Sequence, residues 1–195
     1  MPRAGLDRAA VVDLALAVVD DGGTTGFANL TLAAVAARAG VAVPSLYKHV
    51  AGLPALRREV ALVCIEEYAD ALQAVRADHS GTDLVPAMAR AIRDLARRSP
   101  GRYQAVQGAA WVHDPDAHAV REASIRVVDE IADAVTALGV PDDRRIDAVR
   151  AVRAAVHGFV VLELDGGFGM PDDVDASFEF LVAGLVGGLE RLSVS

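Results

Sequence analysis

The chain has 195 residues, 53% hydrophobic and 5% aromatic, enough to bury a core in one or two domains. Charged residues at 24% exclude a disordered or low-complexity chain, and the single cysteine, Cys64, excludes an intrachain disulfide framework and a cysteine-based zinc site. The net charge of −8 speaks against a polyanion partner, but residues 1–60 balance at +1 and residues 61–195 at −9, so only the first part suits a nucleic acid. No uncharged apolar run approaches the roughly 18 residues of a membrane span. The first 21 residues carry acids among their apolar positions and hold no signal-peptide core, so the expectation is a soluble, cytoplasmic protein.

Nearly every segment has the period of a helix, and none reads as a strand. Val11, Leu14, Ala15 and Val18 share a face of a first helix that Gly22 and Gly23 end. Thr31 suits a helix N-cap, with Leu30 and Val35 placed as a hydrophobic staple, and the helix it starts is short, 32–39. Gly40 suits a left-handed turn, and Pro44 falls in the first turn of another short helix, about 42–49. Gly52 and Pro54 precede a long helix, about 55–78. Pro or Gly punctuation then bounds helices at 84–98, 103–112, 116–138, 142–164 and 172–192. The spacing predicts an all-α chain of about nine helices: a three-helix unit over 1–52 and a larger bundle over 53–195.

Residues 32–50 read as a helix-turn-helix. Two short helices that cross steeply need small residues at their contact, which Ala36 and Ala39 supply, while Val35, Val41 and Leu46 fill the space between them. The second helix then presents Val43, Pro44, Ser45, Tyr47, Lys48 and His49. Tyr47 and His49 can donate to phosphates, Lys48 can reach a phosphate or a guanine edge, and Val43 and Pro44 offer apolar contact to thymine methyls. The competing reading is an αα-hairpin with Tyr47 as an ordinary, partly covered aromatic.

The stretch from Gly40 to Val50, followed by Ala55 and Leu56, resembles the DNA-binding domain of the tetracycline-repressor family of transcriptional regulators, with Leu46-Tyr47-x-His49 as its most specific core. The resemblance covers about residues 6–60. It implies an all-α homodimer whose third helix enters the major groove of operator DNA. It also implies that Thr31 caps the second helix against a phosphate and that Val43, Pro44, Ser45, Tyr47, Lys48 and His49 line the DNA. Members usually carry a basic or polar residue near the start of the fourth helix; Leu53-Pro54 stands there instead. Further on, Ala155-Val156-His157-Gly158-Phe159, Glu163, Gly166-Gly167-Phe168, Phe178 and Leu181 are similar to a branch with a His-Gly pair in the eighth helix.

Tyr103, Gln107 and Trp111 are spaced by four on the segment 103–112, with Gln104 beside them, and mid-chain aromatics with amides suit a mixed apolar and polar pocket. Trp111 as plain core is the equal alternative, and the resemblance, which places the effector cavity among the middle helices, tilts toward a pocket. His157 joins the candidate ligand residues, although its apolar helix face fits a hydrogen-bonded core histidine better. His79, His113 and His118 lack metal-site spacing, so no metal and no cofactor is expected. Arg90, Arg93 and Arg97 read as a solvated basic stripe. Val149, Val152, Val156, Phe159 and Val160, with Phe178, Leu181, Val182, Leu185, Leu189 and Leu192, form two stripes that a homodimer would bury. Packing within one subunit would explain them as well.

No Gly-rich phosphate loop joins a strand to a helix, and no Gly-x-Ser-x-Gly elbow exists, so an enzyme is not expected. The expected function is a ligand-responsive repressor. A helical interaction or small-molecule-binding module without DNA binding is the alternative, supported by the near-neutral charge of residues 1–50.

Overall fold

The computed structural model describes residues 6–107, 111 and 113–192. Among them are nine α-helices and no strand: α1 Arg8–Asp21, α2 Leu32–Ala39, α3 Val43–Leu46, α4 Leu53–Asp78, α5 Leu84–Arg98, α6 Pro100–Val106, α7 His118–Ala137, α8 Arg145–Leu164 and α9 Val174–Glu190. The chain divides into two compact units, one of residues 1–66 with 99–122, the other of residues 67–98 with 123–195.

In the first unit, Asp7 caps α1 by accepting from the Ala10 amide at 2.8 Å. The buried face of α1 is Val11, Val12, Ala15, Leu16 and Val19; Leu14 and Val18 sit at its edge, so the face is turned slightly from the expected one. Leu30, Val35, Leu46, Val50, Leu56 and Val60 close the same core. Beside it, α6 packs on α1 through Gly101, where a Cβ would fall 2.5 Å from the Val19 carbonyl oxygen. Asp20 accepts both hydrogen bonds of a bidentate pair from Arg102, at 2.8 and 2.7 Å, and locks that contact.

The break expected across Ser99-Pro100-Gly101 is a single residue wide. Pro100 opens α6 at once, because the first turn of a helix does not need its missing N–H. The same helix stops at Val106 with Gln107 as its C-cap, well before the predicted end at 112. Trp111 therefore does not share a helical face with Tyr103 and Gln107.

In the second unit, α5 packs on α8 and α9. It buries Leu84, Val85, Met88, Ile92 and Ala96, facing Val149, Val152, Val156 and Val160 of α8 and Phe178, Val182 and Leu189 of α9 within one core. The apolar stripes expected at a dimer seam are thus largely consumed inside the subunit. The basic stripe is also corrected. Arg93 is 6% exposed and binds Glu163 through Nε and Nη2 at 2.8 and 2.6 Å and Asp175 at 2.6 Å, with the Phe178 and Phe159 rings 4.7 and 5.6 Å from its guanidinium carbon. Arg90 forks onto Glu179, and Arg97 reaches Asp175. Hydrogen bonding to Glu163 outweighs desolvation and raises the Arg93 pKa above its ordinary value.

The outward sides of α8 and α9 differ in kind. Ala151, Ala154, Gly158 and Leu162 follow one another along exposed α8, and Ala176, Phe180, Ala183 and Gly184 along exposed α9. Phe180 is 82% exposed and Leu162 52%. A Cβ at Gly158 or Gly184 would meet nothing within 4 Å, so neither glycine is required by its own subunit.

Candidate nucleic-acid interface

Thr31 is extended and its Oγ1 accepts from the Ala34 amide at 3.2 Å, the N-cap bond that starts α2. Leu30 before it and Val35 after it are fully buried, as a staple requires. At the other end Gly40 adopts φ 68°, a left-handed conformation, and the chain turns. The Gly40 amide donates to the Ala37 carbonyl at 3.1 Å and the Val41 amide to the Ala36 carbonyl at 3.0 Å, which satisfies the last carbonyls of the helix. Thr31→Ala should cost about 1 kcal/mol of stability, measured by urea unfolding. Any loss of DNA affinity beyond that cost would report a phosphate contact.

The regular helix after the turn is shorter than expected: α3 covers Val43–Leu46, and Tyr47, Lys48 and His49 continue as turns, with the His49 amide donating to Leu46 O at 2.9 Å. Pro44 sits in the first turn of this helix, where its missing N–H removes no helical bond. Leu46 is wholly buried and fixes the rotation of the segment. Its opposite side holds Pro44, Tyr47 and Lys48 exposed, with Val43, Ser45 and His49 half-buried. Tyr47 is 59% exposed, a large aromatic left in solvent beside a cation.

The electrostatics of this unit are spare. Arg8 pairs with Glu59, Arg38 with Asp21, and Arg58 with Asp114 at 3.0 Å. Lys48 has no ion pair among the described residues, so its charge is available to a phosphate. At the start of α4, Leu53 and Pro54 offer no side-chain donor. Arg57 and Arg58 nearby point inward: Arg57 Nη2 donates to the carbonyls of Ala28 at 2.7 Å and Leu30 at 3.3 Å.

The candidate ligand residues separate. Tyr103 is buried on α6, Gln107 is half-buried at its C-cap, and Trp111 is 9% exposed with its ring edge-on to Phe27 at 6.2 Å. All three belong to the first unit, and His157, half-buried on α8, belongs to the second. Burial, and then the Arg153 charge, push the His157 pKa below its ordinary 6.5. Sequence reasoning missed Phe27 and Arg57, which touch the Trp111 environment from 84 and 54 positions away in the chain, and it gave Gln104 to the pocket. Gln104 Oε1 instead accepts from the Ala28 amide at 3.1 Å, tying α6 to the segment before α2.

Residues 85–185, more than half of the chain, match the family model of the tetracyclin repressor-like C-terminal domain. The chain belongs to the tetracycline-repressor (TetR) family. It is 34% identical over 190 residues to the uncharacterized HTH-type transcriptional regulator Rv0681 of Mycobacterium tuberculosis, covering 96% of this chain and 84% of that protein. It is 30% identical over 189 residues to the uncharacterized HTH-type regulator YobS of Bacillus subtilis, covering 96% and 95%. Its fold is shared with a TetR variant from Acinetobacter baumannii AYE solved in complex with minocycline, at a TM-score of 0.69 and 23% identity, covering 98% of this chain and all of that one. This TetR-family chain is a DNA-binding transcriptional regulator. TetR-family regulators bind operator DNA and form dimers. Among the described residues no helix is long and apolar enough to cross a membrane.

Proposed function

We propose that this TetR-family chain is a dimeric repressor in which residues 1–52 read the operator and residues 53–195 carry dimerisation and effector response. The observation that carries the proposal is the exposed Tyr47-Lys48 pair on a segment held in place by buried Leu46 and left-handed Gly40. In this reading Val43, Pro44 and Ser45 meet base edges, and Thr31, Tyr47, Lys48 and His49 meet phosphates. With no side-chain donor at Leu53-Pro54, the free amides at the start of α4 take the phosphate there.

The exposed faces of α8 and α9 support a dimer. Gly158 and Gly184 each cost roughly 1 kcal/mol relative to alanine in a helix, and nothing in the subunit explains them. A second copy does: close backbone approach offsets the cost and covers Phe180 and Leu162. Two copies then present their recognition segments about 34–36 Å apart, or a multiple of it, to two half-sites.

An effector beside Tyr103, Gln107 and Trp111 lowers operator affinity by favouring a dimer misfitted to the groove. The minocycline complex of a fold neighbour supports small-molecule response as the mode of release. His157 lies in the other unit and is not assigned to this site.

Selection of bound genomic fragments by the purified protein tests the proposal. Enrichment of a few fragments that share an inverted repeat is the expected result, with Ser45→Ala or Val43→Ala shifting which bases are preferred. Enrichment of no fragment over the input would reject operator binding by this segment.

A further inference from the structure

Two side-chain N–H groups among the described residues are buried with no acceptor: Nε of Arg57 and Nε1 of Trp111. Both adjoin the same ring. The Arg57 guanidinium carbon lies 5.9 Å from the Phe27 ring centroid, and the Trp111 ring meets Phe27 edge-on at 6.2 Å. Arg57 also forms no ion pair among the described residues, whereas Arg8, Arg38, Arg58 and Arg102 of the same unit each hold a carboxylate. A buried donor gains more from an acceptor than an exposed one does, and most when the acceptor is charged. Both groups here are donors and one is a cation, so the partner that fits is an anionic acceptor. Phe27 adds an aromatic face against which an apolar body can lie.

We infer that the Phe27–Arg57–Trp111 cluster binds the carboxylate of a small organic acid with an apolar body. The inference rests on the proposed effector site beside Trp111 and narrows it to a chemistry. Arg57 supplies the charge and one hydrogen bond from Nε, and Trp111 supplies a second from Nε1.

The cluster also adjoins the DNA-reading segment. Arg57 holds the carbonyls of Ala28 and Leu30, and Gln104 holds the Ala28 amide, just ahead of Thr31, the cap of α2. A carboxylate on Nε draws the rigid guanidinium toward itself, and Nη2, which holds both carbonyls, moves with it. The stretch 28–31 is then held less tightly, and the helix-turn-helix loses its fixed start. Occupancy therefore acts on DNA binding through four residues of backbone.

The test titrates phenylacetate and hexanoate into the full-length protein beside their neutral amides. Trp111 is the only tryptophan and reports by its emission, with thermal unfolding as the second readout. The acids should shift the emission and raise the unfolding temperature below about 10 mM, and the amides should not. Trp111→Phe and Arg57→Lys, each shown by circular dichroism to keep its helix content, should each weaken the acids roughly tenfold by thermal unfolding. The inference is overturned if acids and amides bind alike, if neither binds up to about 10 mM, or if both variants keep the wild-type affinity. Failure of the wider effector reading looks different: a compound that releases DNA from wild type would release it equally from Trp111→Ala.

Discussion

Gly184→Glu should split the dimer and lower operator affinity by about 100-fold or more, the avidity of two linked half-sites. The substitution is chosen because the subunit has no reason to object to it. A Cβ at position 184 meets nothing within 4 Å, and leaving glycine in a helix favours folding by roughly 1 kcal/mol. In a seam between copies, the same change buries an unpaired carboxylate against a close backbone contact. Sedimentation should therefore find a folded monomer no less heat-stable than a wild-type subunit. Gly158→Ala gives a milder version with a diagnostic sign: stabilising if α8 faces solvent, destabilising if it faces a second copy. A Gly184→Glu protein that remains dimeric and binds operator normally would place the interface on another face.

Arg93→Met should be the most destabilising single substitution of an ionic side chain, at about 3 kcal/mol. It leaves Glu163, itself mostly buried, without the fork that held both of its oxygens, and it removes the cation beside Phe178. Asp175 is largely exposed and regains water, so it adds little. The double variant Arg93→Met with Glu163→Leu should recover most of the loss, because an apolar pair of similar volume avoids desolvating two charges. Urea unfolding of the three proteins checks this. Equal stability of Arg93→Met and wild type would show that the ion pair contributes nothing to the α5–α8–α9 core.

What could be read in the sequence follows from how local its cause is. Gly40, Thr31 and the Pro44 turn were legible because each answers a demand of the backbone within a few residues: a left-handed φ, an orphan amide, a missing donor. Leu46-Tyr47-x-His49 was legible because one buried residue fixes the direction of its neighbours. Arg93 was not, since its spacing from Arg90 and Arg97 is that of a solvated face and its partners Glu163 and Asp175 lie 70 and 82 positions away. The end of α6 had a stop signal in Gly108, directly after the Gln107 C-cap, but the four-residue spacing of Tyr103, Gln107 and Trp111 pointed to a longer helix. On α8 and α9, periodicity found the valines and leucines that face inward. The outward face is written in alanine and glycine, which hydropathy does not mark; Gly158 and Gly184 mark it instead, because a glycine inside a helix needs a reason and each has open space around it within the subunit.

The central claim is that the segment Val43–His49 holds the DNA, and salt-dependent operator binding tests it most directly. Wild type and the double variant Tyr47→Ala with Lys48→Ala are compared by gel shift on the DNA flanking the protein's own gene, across a range of salt. Lys48 is exposed on that segment and has no ion pair among the described residues, so its loss should remove one phosphate contact per subunit. The log–log salt slope should fall by about 2 per dimer, with affinity down on every sequence tested. A double variant that binds with wild-type affinity and an unchanged slope would contradict the account.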